Sequence, residues 1–562
     1  MAYFFKKKLK GQLYLFAGKS KSDGKGNAIR TESKYIAPYD ALAEYFQQAD
    51  VSITMQSHFE FGLSRTLYAL TRQLGMAQVF QSHITKRNVD AHLSMRIVMM
   101  IINRLVSPCA KYSIEKWYST SDLSHTSGLP IMELESQKAY RAMDKLEESN
   151  VAIETAICKV ISAQEGVSFS TLYLDFTNQE TYAHNNESDI LAHGHNKRGK
   201  DESLQVNISL CCDAESGIPF FHKTYPGNYN DKQFIHEYSN ELRERLDAVG
   251  WKKRNLLVVD RGINGKDNFT LLLTHKFDYL GGLIEREFPK YFVIPKSKLT
   301  KHYSHKRMSG LPLKIRYSSS TDHIYGRPHR VITFYNQENY EEKIMKFNDG
   351  LAQYEKLCVE KLKMYQKEIA EKNFESRYNN IESITKQLKE IDKTLFPLII
   401  FKIKSYRFEL IWTIQRNEKA IRQHIDNFGK HVLFTNKLEL KDKNILDLFF
   451  NKDKIEKNFQ FLKANAYTNR AIVLGPMLHS KDQRILSHIY SCIMALQLYQ
   501  ILRNRLHKAK LEITTQEALE NLETIVCYYT KILGKKELIR HINPLTETQK
   551  SILKAIQINI FD

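Results

Sequence analysis

The segment from Phe169 to Leu283 constrains the fold most, because short apolar runs follow one another in it in a defined order. Phe169–Asp175 is an apolar run that ends in a carboxylate, and Leu204–Cys212 alternates apolar with polar residues, as a half-buried strand does. Ile218–Tyr225 predicts the returning strand of a hairpin, and Asn255–Asp260 is the continuous apolar run of a buried central strand. Together with the helical stretches that follow them, these runs give the order β-β-β-α-β-α-β, which predicts a mixed sheet flanked by helices.

Two aspartates stand at the ends of these apolar runs, Asp175 after the first and Asp260 after the last. In an open α/β sheet, ligands bind at the carboxyl ends of the strands, where carboxylates on neighbouring strands converge. A single aspartate at a strand end more often caps a loop or a helix, and for each residue taken alone that alternative stays open.

A third carboxylate, Glu456, lies in a segment with helical periodicity. Phe449, Lys452, Glu456 and Lys463 follow one another at intervals of three, four and seven residues, which places their side chains on one helical face. The apolar stripe that we expect to pack against the sheet consists of Ile455, Phe459 and Leu462. By spacing alone, an ordinary ion-paired helix face explains the pattern slightly better than a site does.

Three carboxylates on rigid elements suit phosphodiester chemistry. Cleaving a phosphodiester requires activation of the attacking oxygen and neutralisation of charge on the leaving oxygen, and two Mg²⁺ ions about 3.5–4 Å apart do both. Mg²⁺ in such sites is bound by a few carboxylates together with water and phosphate oxygens, not by a closed protein cage.

The composition favours a polyanionic partner. The chain carries a formal net charge of +20, and each Lys or Arg that neutralises a phosphate releases a condensed counterion. Composition by itself does not distinguish DNA, RNA and a membrane surface. The longest apolar stretches, Ile97–Val106 and Leu395–Ile403, are too short to span a bilayer. The seven cysteines include no Cys-x-x-Cys pair and are typical of a reducing compartment. We therefore expect a cytoplasmic protein that does not cross a membrane.

The remaining sequence predicts regions around this core. Residues 1–35 predict a basic hairpin, and the helical pattern that follows, up to residue 163, fits a DNA-binding module and a plain scaffold equally well. Between residues 285 and 440, strand-like runs surround a Lys/Glu-rich helical stretch, which we expect to be a solvated helical hairpin; a coiled coil that binds a partner is the alternative. The strand-like runs are Tyr291–Ile294, Leu313–Tyr317, Val331–Tyr335, Leu398–Ile403, Phe408–Ile414 and Val432–Thr435. The predicted boundaries are 1–163 for the N-terminal region, 164–284 and 441–505 for the two parts of the core, 285–440 for the insertion and 506–562 for a helical C-terminal region.

Five motifs occur along the chain in a defined order. They are Leu174-Asp175-Phe176-Thr177, Gly194-His195-Asn196-Lys197-Arg198-Gly199, Tyr225-Pro226-Gly227-Asn228-Tyr229-Asn230-Asp231, Val258-Val259-Asp260-Arg261-Gly262, and Ile455–Lys463 followed by Asn469-Arg470. Each motif is weak alone, but the ordered set resembles the cut-and-paste transposases of bacterial insertion sequences. These are Asp-Asp-Glu (DDE) enzymes whose RNase H-like catalytic domain carries a β-rich insertion before the helix with the Glu. The resemblance runs from about Leu172 to Ile501, with a weaker similarity at Tyr3–Ile36.

The resemblance implies a fold and an activity. The fold is an α/β RNase H-like core with an inserted mixed β/α domain, flanked by helical N-terminal and C-terminal regions. The activity is Mg²⁺-dependent cleavage at terminal inverted repeats, followed by transfer of the 3′-hydroxyl strand into target DNA by a homodimer. The resemblance makes Asp175, Asp260 and Glu456 the catalytic ligands of two Mg²⁺ ions, for which Mn²⁺ can substitute. It also implies a bacterial cytoplasmic protein that is associated with the nucleoid when it is bound to DNA.

The helix signature of this family is Tyr-x2-Arg-x3-Glu-x6-Lys. The chain matches it at Glu456 and Lys463, but has Phe449 and Lys452 in place of the Tyr and the Arg. Phe449 cannot form a hydrogen bond, and Lys452 keeps the charge but lacks the bidentate fork of arginine. The candidates for DNA contacts are Lys452, Lys463, Arg261, Lys197, Arg198 and Arg470. Two alternatives stay open: a catalytically decayed relative that only binds DNA, and a general Mg²⁺-dependent nuclease of the same fold.

Overall fold

The computed structural model describes residues 2–22, 28–40, 53–84, 90–182, 188–194, 203–306, 311–371, 380–406, 409–463, 472–475, 477–532 and 538–561. The chain forms two compact units. Unit 1 consists of Met1–Gln73, Asp90–Ala142 and Leu502–Asp562, and unit 2 of Leu74–Val89 and Met143–Ile501. The domain boundaries given above stay predictions.

The described residues form eighteen strands and eighteen α-helices. The strands are β1 Ala2–Leu9, β2 Gln12–Ser22, β3 Ala28–Pro38, β4 Ile53–Glu60, β5 Thr171–Glu180, β6 Ala192–His193, β7 Leu204–Asp213, β8 Pro219–Pro226, β9 Asn255–Val258, β10 Phe277–Gly282, β11 Lys301–His305, β12 Leu313–Ile324, β13 Arg327–Tyr335, β14 Ile399–Tyr406, β15 Glu409–Arg416, β16 Lys430–Thr435, β17 Val526–Ile532 and β18 Leu538–Ile542. The helices are α1 Gly62–Gln73, α2 Met76–Ile84, α3 Leu93–Val106, α4 Ile114–Ser119, α5 Leu123–Thr126, α6 Ser136–Glu147, α7 Asn150–Glu165, α8 Asp231–Val249, α9 Lys266–Thr274, α10 Pro289–Phe292, α11 Gln337–Glu371, α12 Asn380–Ile391, α13 Glu418–Ile425, α14 Asp442–Phe450, α15 Asp453–Leu462, α16 Asp482–Lys508, α17 Thr515–Glu523 and α18 Glu547–Ile556.

A ten-stranded mixed sheet forms the centre of unit 2. Its order is β11-β12-β13-β16-β10-β9-β5-β7-β6, with β8 paired to β7. The first three core strands, β5, β7 and β8, are antiparallel neighbours, whereas β9 runs parallel to both β5 and β10. All four residues of β9 are buried, as a continuous apolar run requires. The predicted mixed sheet with helices packed on it is therefore confirmed, since α7 lies on β8, α9 on β10 and α15 on β5.

The strands of the predicted insertion do not form a sheet of their own. β12, β13 and β16 extend the central sheet, because β16 pairs in antiparallel register with both β10 and β13. The predicted strand Tyr291–Ile294 is wrong: its first two residues end helix α10, which begins at Pro289. Proline at the first turn of a helix is favourable because its missing N–H has no partner there anyway.

The long charged stretch forms two helices, α11 and α12, that have a core in common with β14 and β15. Tyr354 and Cys358 of α11 and Leu388 of α12 are buried in this core. The Tyr354 hydroxyl donates a hydrogen bond to the Leu388 carbonyl oxygen at 2.9 Å. Apolar residues at helical spacing therefore explain why so charged a segment folds back on itself.

Unit 1 contains more β-structure than the sequence predicts. Residues 2–22 and 28–38 form a three-stranded antiparallel sheet where a hairpin was predicted; β2 extends to Ser22, and Lys19 of β2 forms an ion pair with Glu32 of β3. The C-terminal region, predicted to be helical, contributes β17 and β18 to a second sheet with β4. Buried Cys527 and Tyr529 alternate with less buried neighbours along β17. Such a short period-two pattern between two helices was not recognised as a strand.

Helix α16 is long and apolar enough to cross a bilayer, whereas the sequence predicted no stretch long enough to do so. However, 89% of its most apolar window is buried within the protein, as in the core helix of a folded domain. A bent pair of helices, Leu93–Val106 with Lys111–Ser119, meets the same length and composition criteria, with an angle of 99° between its parts.

Candidate active site

Asp175 lies in the middle of β5, not at its end as predicted. The strand continues to Glu180 because these residues stay paired with β7, with Asp175 opposite Leu210. The parallel neighbour β9 pairs only with Thr171–Tyr173. Asp175 therefore lies just beyond the last residue pair between β5 and β9. This is the edge formed by the carboxyl ends of the parallel strands, where the sequence predicted a site.

Lys452 links Asp175 to Asp260. Its Nζ lies 3.9 Å from Asp175 Oδ1 and 3.6 Å from Asp260 Oδ1. The Lys452 side chain is only 10% exposed and that of Asp175 13%, whereas Asp260 is 62% exposed. An almost buried ammonium thus lies near one shielded and one open carboxylate.

The predicted single helix around Glu456 is wrong, because two helices occupy the segment. α14 ends at Phe450 and α15 begins at Asp453, with Lys452 at the N-cap position of α15. Asn451 and Asp453 flank this break, and such short polar side chains favour helix ends over helix interiors. Phe449 consequently belongs to the preceding helix, where its ring lies 5.7 Å from that of Phe334.

Glu456 faces the same pair of aspartates. Partial burial raises the pKa of its carboxyl group; Lys452 lowers this pKa, and Asp175 and Asp260 raise it further. Both aspartates therefore lie close enough to Glu456 for their negative charges to act on its carboxyl group. The apolar stripe of α15 is buried as predicted: Ile455, Phe459 and Leu462 are 0%, 8% and 1% exposed. We refer to Asp175, Asp260 and Glu456 as the carboxylate site.

The donors of the carboxylate site fit Mg²⁺ in kind, since all are hard carboxylate oxygens. Within the described ranges, no group of three or more His, Cys, Asp or Glu side chains is arranged to hold a metal ion. The Lys452 ammonium is a cation within 4 Å of both aspartates. A metal bound by both aspartates would therefore have to compete with Lys452.

Arg261 is held by β16, a strand of the predicted insertion. Its Nη2 donates to His431 Nδ1 at 3.1 Å, and His431 Nε2 lies 3.2 Å from Asn339 Oδ1. Burial, with the charges of Arg261 and Lys343, lowers the pKa of His431 to about 3. His431 is therefore neutral at physiological pH, and its Nδ1 can accept the Arg261 hydrogen bond while Nε2–H donates to Asn339. These two hydrogen bonds connect Asn339, in the first turn of α11, to Arg261, the residue after Asp260.

Lys463 ends α15 beside Asp175. Its Nζ donates to Thr177 Oγ1 at 2.6 Å and to the Asn178 carbonyl oxygen. Because Thr177 is two residues after Asp175, both side chains lie on one face of β5. Lys463 therefore fastens the Glu456 helix to the strand that carries Asp175. The other DNA-contact candidates, Lys197, Arg198 and Arg470, lie outside the described residues.

Asp231 is a fourth carboxylate near the site. It belongs to the motif Tyr225–Asp231 but is not among the predicted site residues. It begins α8, and a Cβ atom on Gly262 would lie 2.6 Å from its Oδ2. Burial, with the negative charges of Asp231 and Asp175, raises the pKa of the Tyr225 hydroxyl. Asp231 therefore lies near both the Tyr225 end of β8 and the Asp260 loop. The sequence signal for this close approach is Gly262, which follows Asp260 and Arg261, because glycine leaves room for a neighbouring group next to the backbone.

Comparisons with known proteins leave the family open. No protein-family profile matches the chain, and no curated protein matches it. Among solved structures, the chain is similar to a piggyBac transposase synaptic complex with hairpin DNA, with a TM-score of 0.37 and 9% sequence identity. The match covers 82% of this chain and 78% of that chain. A similarity this low does not establish a common fold.

Proposed function

We propose that this protein is a metal-dependent DNA transposase of the DDE type, which cleaves strands at the ends of an insertion sequence and joins the 3′-hydroxyl ends to target DNA. The observation that carries the proposal is that the Lys452 ammonium lies within 4 Å of both Asp175 and Asp260, with Glu456 close enough for both aspartates to raise its pKa. The ordered motifs that resemble the insertion-sequence transposases support it, and so does the net charge of +20.

The sheet supports an RNase H-like core. Three antiparallel strands are followed by two parallel strands in the order β8-β7-β5-β9-β10. Asp175 on the first strand and Asp260 after the fourth are brought together because these two strands are neighbours. Glu456 comes from a helix that packs on the first strand. The long insertion before this helix favours a transposase over a general nuclease.

Each residue of the site has a distinct role in this proposal. Asp175, Asp260 and Glu456 would hold two Mg²⁺ ions, which supply activation of the attacking oxygen and neutralisation of the leaving oxygen when bound. Lys463 keeps Glu456 and Asp175 in register by fastening α15 to β5. Arg261, held by His431, and Lys452 would contact a DNA phosphate at the site.

The proposal is tested with the full-length protein, Mg²⁺ and a duplex that carries a precut 3′-hydroxyl end of the element. Joined products that depend on Asp260 are the expected result. Digestion without joining would favour the general nuclease. Neither cleavage nor joining, with DNA binding retained, would overturn the enzymatic proposal.

A DNA-binding relative without catalysis is the second candidate, and one observation favours it. The two ion pairs of Lys452 already place a positive charge at Asp175 and Asp260 without any metal. Metal affinity distinguishes the two candidates, because an active enzyme must let the metal displace this ammonium.

Replacing Lys452 with Met is expected to tighten Mn²⁺ binding about tenfold. A unit charge about 4 Å away, near a protein surface, costs an incoming cation up to about 4 kcal/mol, and the mobility of the lysine side chain reduces this cost. Isothermal titration of the metal-stripped protein measures the change, with Lys457→Met on the same helix as the control. Lys457 is half exposed and pairs with Asp453. Mn²⁺ binding by neither the wild type nor Lys452→Met would favour the second candidate.

A further inference from the structure

A cavity of about 300 Å³ in unit 1 lies along helix α1. Its walls are Arg65, Tyr68, Ala69, Arg72 and Gln73 from α1, with Asn559 from the C-terminal segment. The α1 residues recur at helical spacing on one side, whereas Leu63, Leu67 and Leu70 are buried. One face of α1 is thus fixed in the core while the other offers two arginines to the cavity, which we call the arginine cavity.

Arg65 is almost completely buried at the wall of the arginine cavity, with 5% of its surface exposed. Its Nε donates to the Ile560 carbonyl oxygen at 3.2 Å and lies 3.9 Å from Asp122 Oδ2. Burial lowers the pKa of Arg65; Asp122 raises it, and the charges of Arg540 and Arg72 lower it. The guanidinium groups of Arg540 and Arg72 are therefore close enough to Arg65 for their charges to act on it.

Arg65 and Arg540 share one carboxylate, Asp122. Its fully buried carboxylate lies 3.7 Å from Arg540 Nη1 and accepts hydrogen bonds from the Tyr529 hydroxyl at 2.6 Å and the Thr126 hydroxyl at 3.1 Å. Glu60, the carboxylate just before α1, has its pKa raised by burial to about 7 and is only partly ionised at neutral pH. The wall of the cavity carries the positive charges of two arginines, Arg65 and Arg72.

Two further features distinguish the arginine cavity from a purely structural cluster. Arg72 is exposed, and within the described part of the chain it forms no hydrogen bond or ion pair. Gln73 is held in place, because Arg505 Nη1 donates to its Oε1 at 3.0 Å and Gln73 Nε2 donates to the Gln557 carbonyl oxygen at 2.9 Å. The cavity therefore combines a buried guanidinium and a fixed amide with a guanidinium that is available to a ligand.

We propose that the arginine cavity binds a phosphate group, with Arg65 and Arg72 as its cationic ligands. The planar fork of arginine matches the oxygens of a phosphate in a bidentate manner. The cavity is at the small end of the range for ligand sites and accommodates one phosphate-bearing unit. A DNA backbone or end and a free phosphorylated compound carry this same group. The site does not depend on the carboxylate site.

The test uses the full-length protein without divalent metal, which silences the carboxylate site. Arg72→Gln is compared with wild type for binding of pyrophosphate by isothermal titration and of duplex DNA by fluorescence anisotropy at several salt concentrations. Arg72 is exposed, so the variant keeps the fold. Lys116→Gln removes one exposed cation of unit 1 that does not line the cavity and is the matched control.

Arg72→Gln is expected to weaken binding of one probe about tenfold, as for a lost charge-assisted hydrogen bond, and Arg72→Lys to weaken it less. A loss confined to DNA, with the slope of log K against log salt reduced by about one, identifies DNA phosphate as the ligand. A loss confined to pyrophosphate identifies a free phosphorylated compound. Equal behaviour of Arg72→Gln and Lys116→Gln with both probes would overturn the proposal. Failure of the transposase proposal would leave all these outcomes unchanged.

Discussion

Replacing Glu456 with Gln is expected to lower the rate of Mg²⁺-dependent strand cleavage by about 10³-fold or more. A metal that neutralises charge in the transition state contributes several kcal/mol, and each 1.36 kcal/mol corresponds to about a factor of ten in rate. Glutamine keeps the size of the side chain but removes the negative charge that converges with Asp175 and Asp260. Because Glu456 is exposed, folding should be preserved.

Asp453→Asn provides the matched control for this prediction. Asp453 stands three residues before Glu456 on the same helix, is half exposed and pairs with Lys457. It loses the same unit of charge at nearly the same place, so a purely long-range electrostatic effect would alter both variants alike. Cleavage of a labelled duplex and anisotropy of the same duplex are measured together. Cleavage by Glu456→Gln at a rate within tenfold of Asp453→Asn would remove Glu456 from the proposed catalytic set, whereas equal DNA binding by both is expected.

The order of the core strands could be predicted from the sequence because each strand carries its own local pattern. The alternation of apolar and polar residues in β7 and the continuous apolar run of β9 reflect which faces of each strand are buried. This pattern can be read from consecutive residues of the sequence. Pairing between distant strands has no such local signal. Hence β16 could be expected as a strand, but its place between β10 and β13, which turns the predicted insertion into an extension of the sheet, could not.

The carboxylate site shows the same division. Asp175 and Asp260 were predicted from the ends of apolar runs, although β5 continues past Asp175 to Glu180, and Glu456 was predicted from the resemblance. The position of Lys452 near both aspartates could not be predicted, because it depends on a helix break at Asn451 that periodicity over a single helix overlooked. The hydrogen-bonded chain from Arg261 through His431 to Asn339 joins residues far apart in sequence and becomes visible only with the fold.

Replacing Glu154 with Ala is expected to lower the free energy of unfolding by about 3–5 kcal/mol, as for removal of one partner from a buried ion pair. Glu154 of α7 is 1% exposed, and its carboxylate binds Arg245 of α8 and both the backbone N–H and the ring Nδ1 of His222 on β8. Arg245 and His222 are themselves 5% and 7% exposed. Without the Glu154 carboxylate, the buried Arg245 guanidinium keeps only Glu241 of its two carboxylate partners, and the buried His222 N–H loses its acceptor, which is why the cost exceeds that of an exposed ion pair.

Denaturant unfolding of Glu154→Ala, Glu154→Gln and Glu148→Ala measures this contribution. Glutamine retains an acceptor for His222 and should cost less than alanine. Glu148, which is half exposed and pairs with Lys145, provides the control and should change stability by no more than about 1 kcal/mol. A Glu154→Ala protein as stable as the control would show that the network is dispensable. Because α8 precedes β9 and Asp260 in the chain, the same variants also show whether the Glu154 network helps to position Asp260. If its role is stability alone, Glu154→Ala should retain full metal affinity per folded molecule, and only the folded fraction should fall.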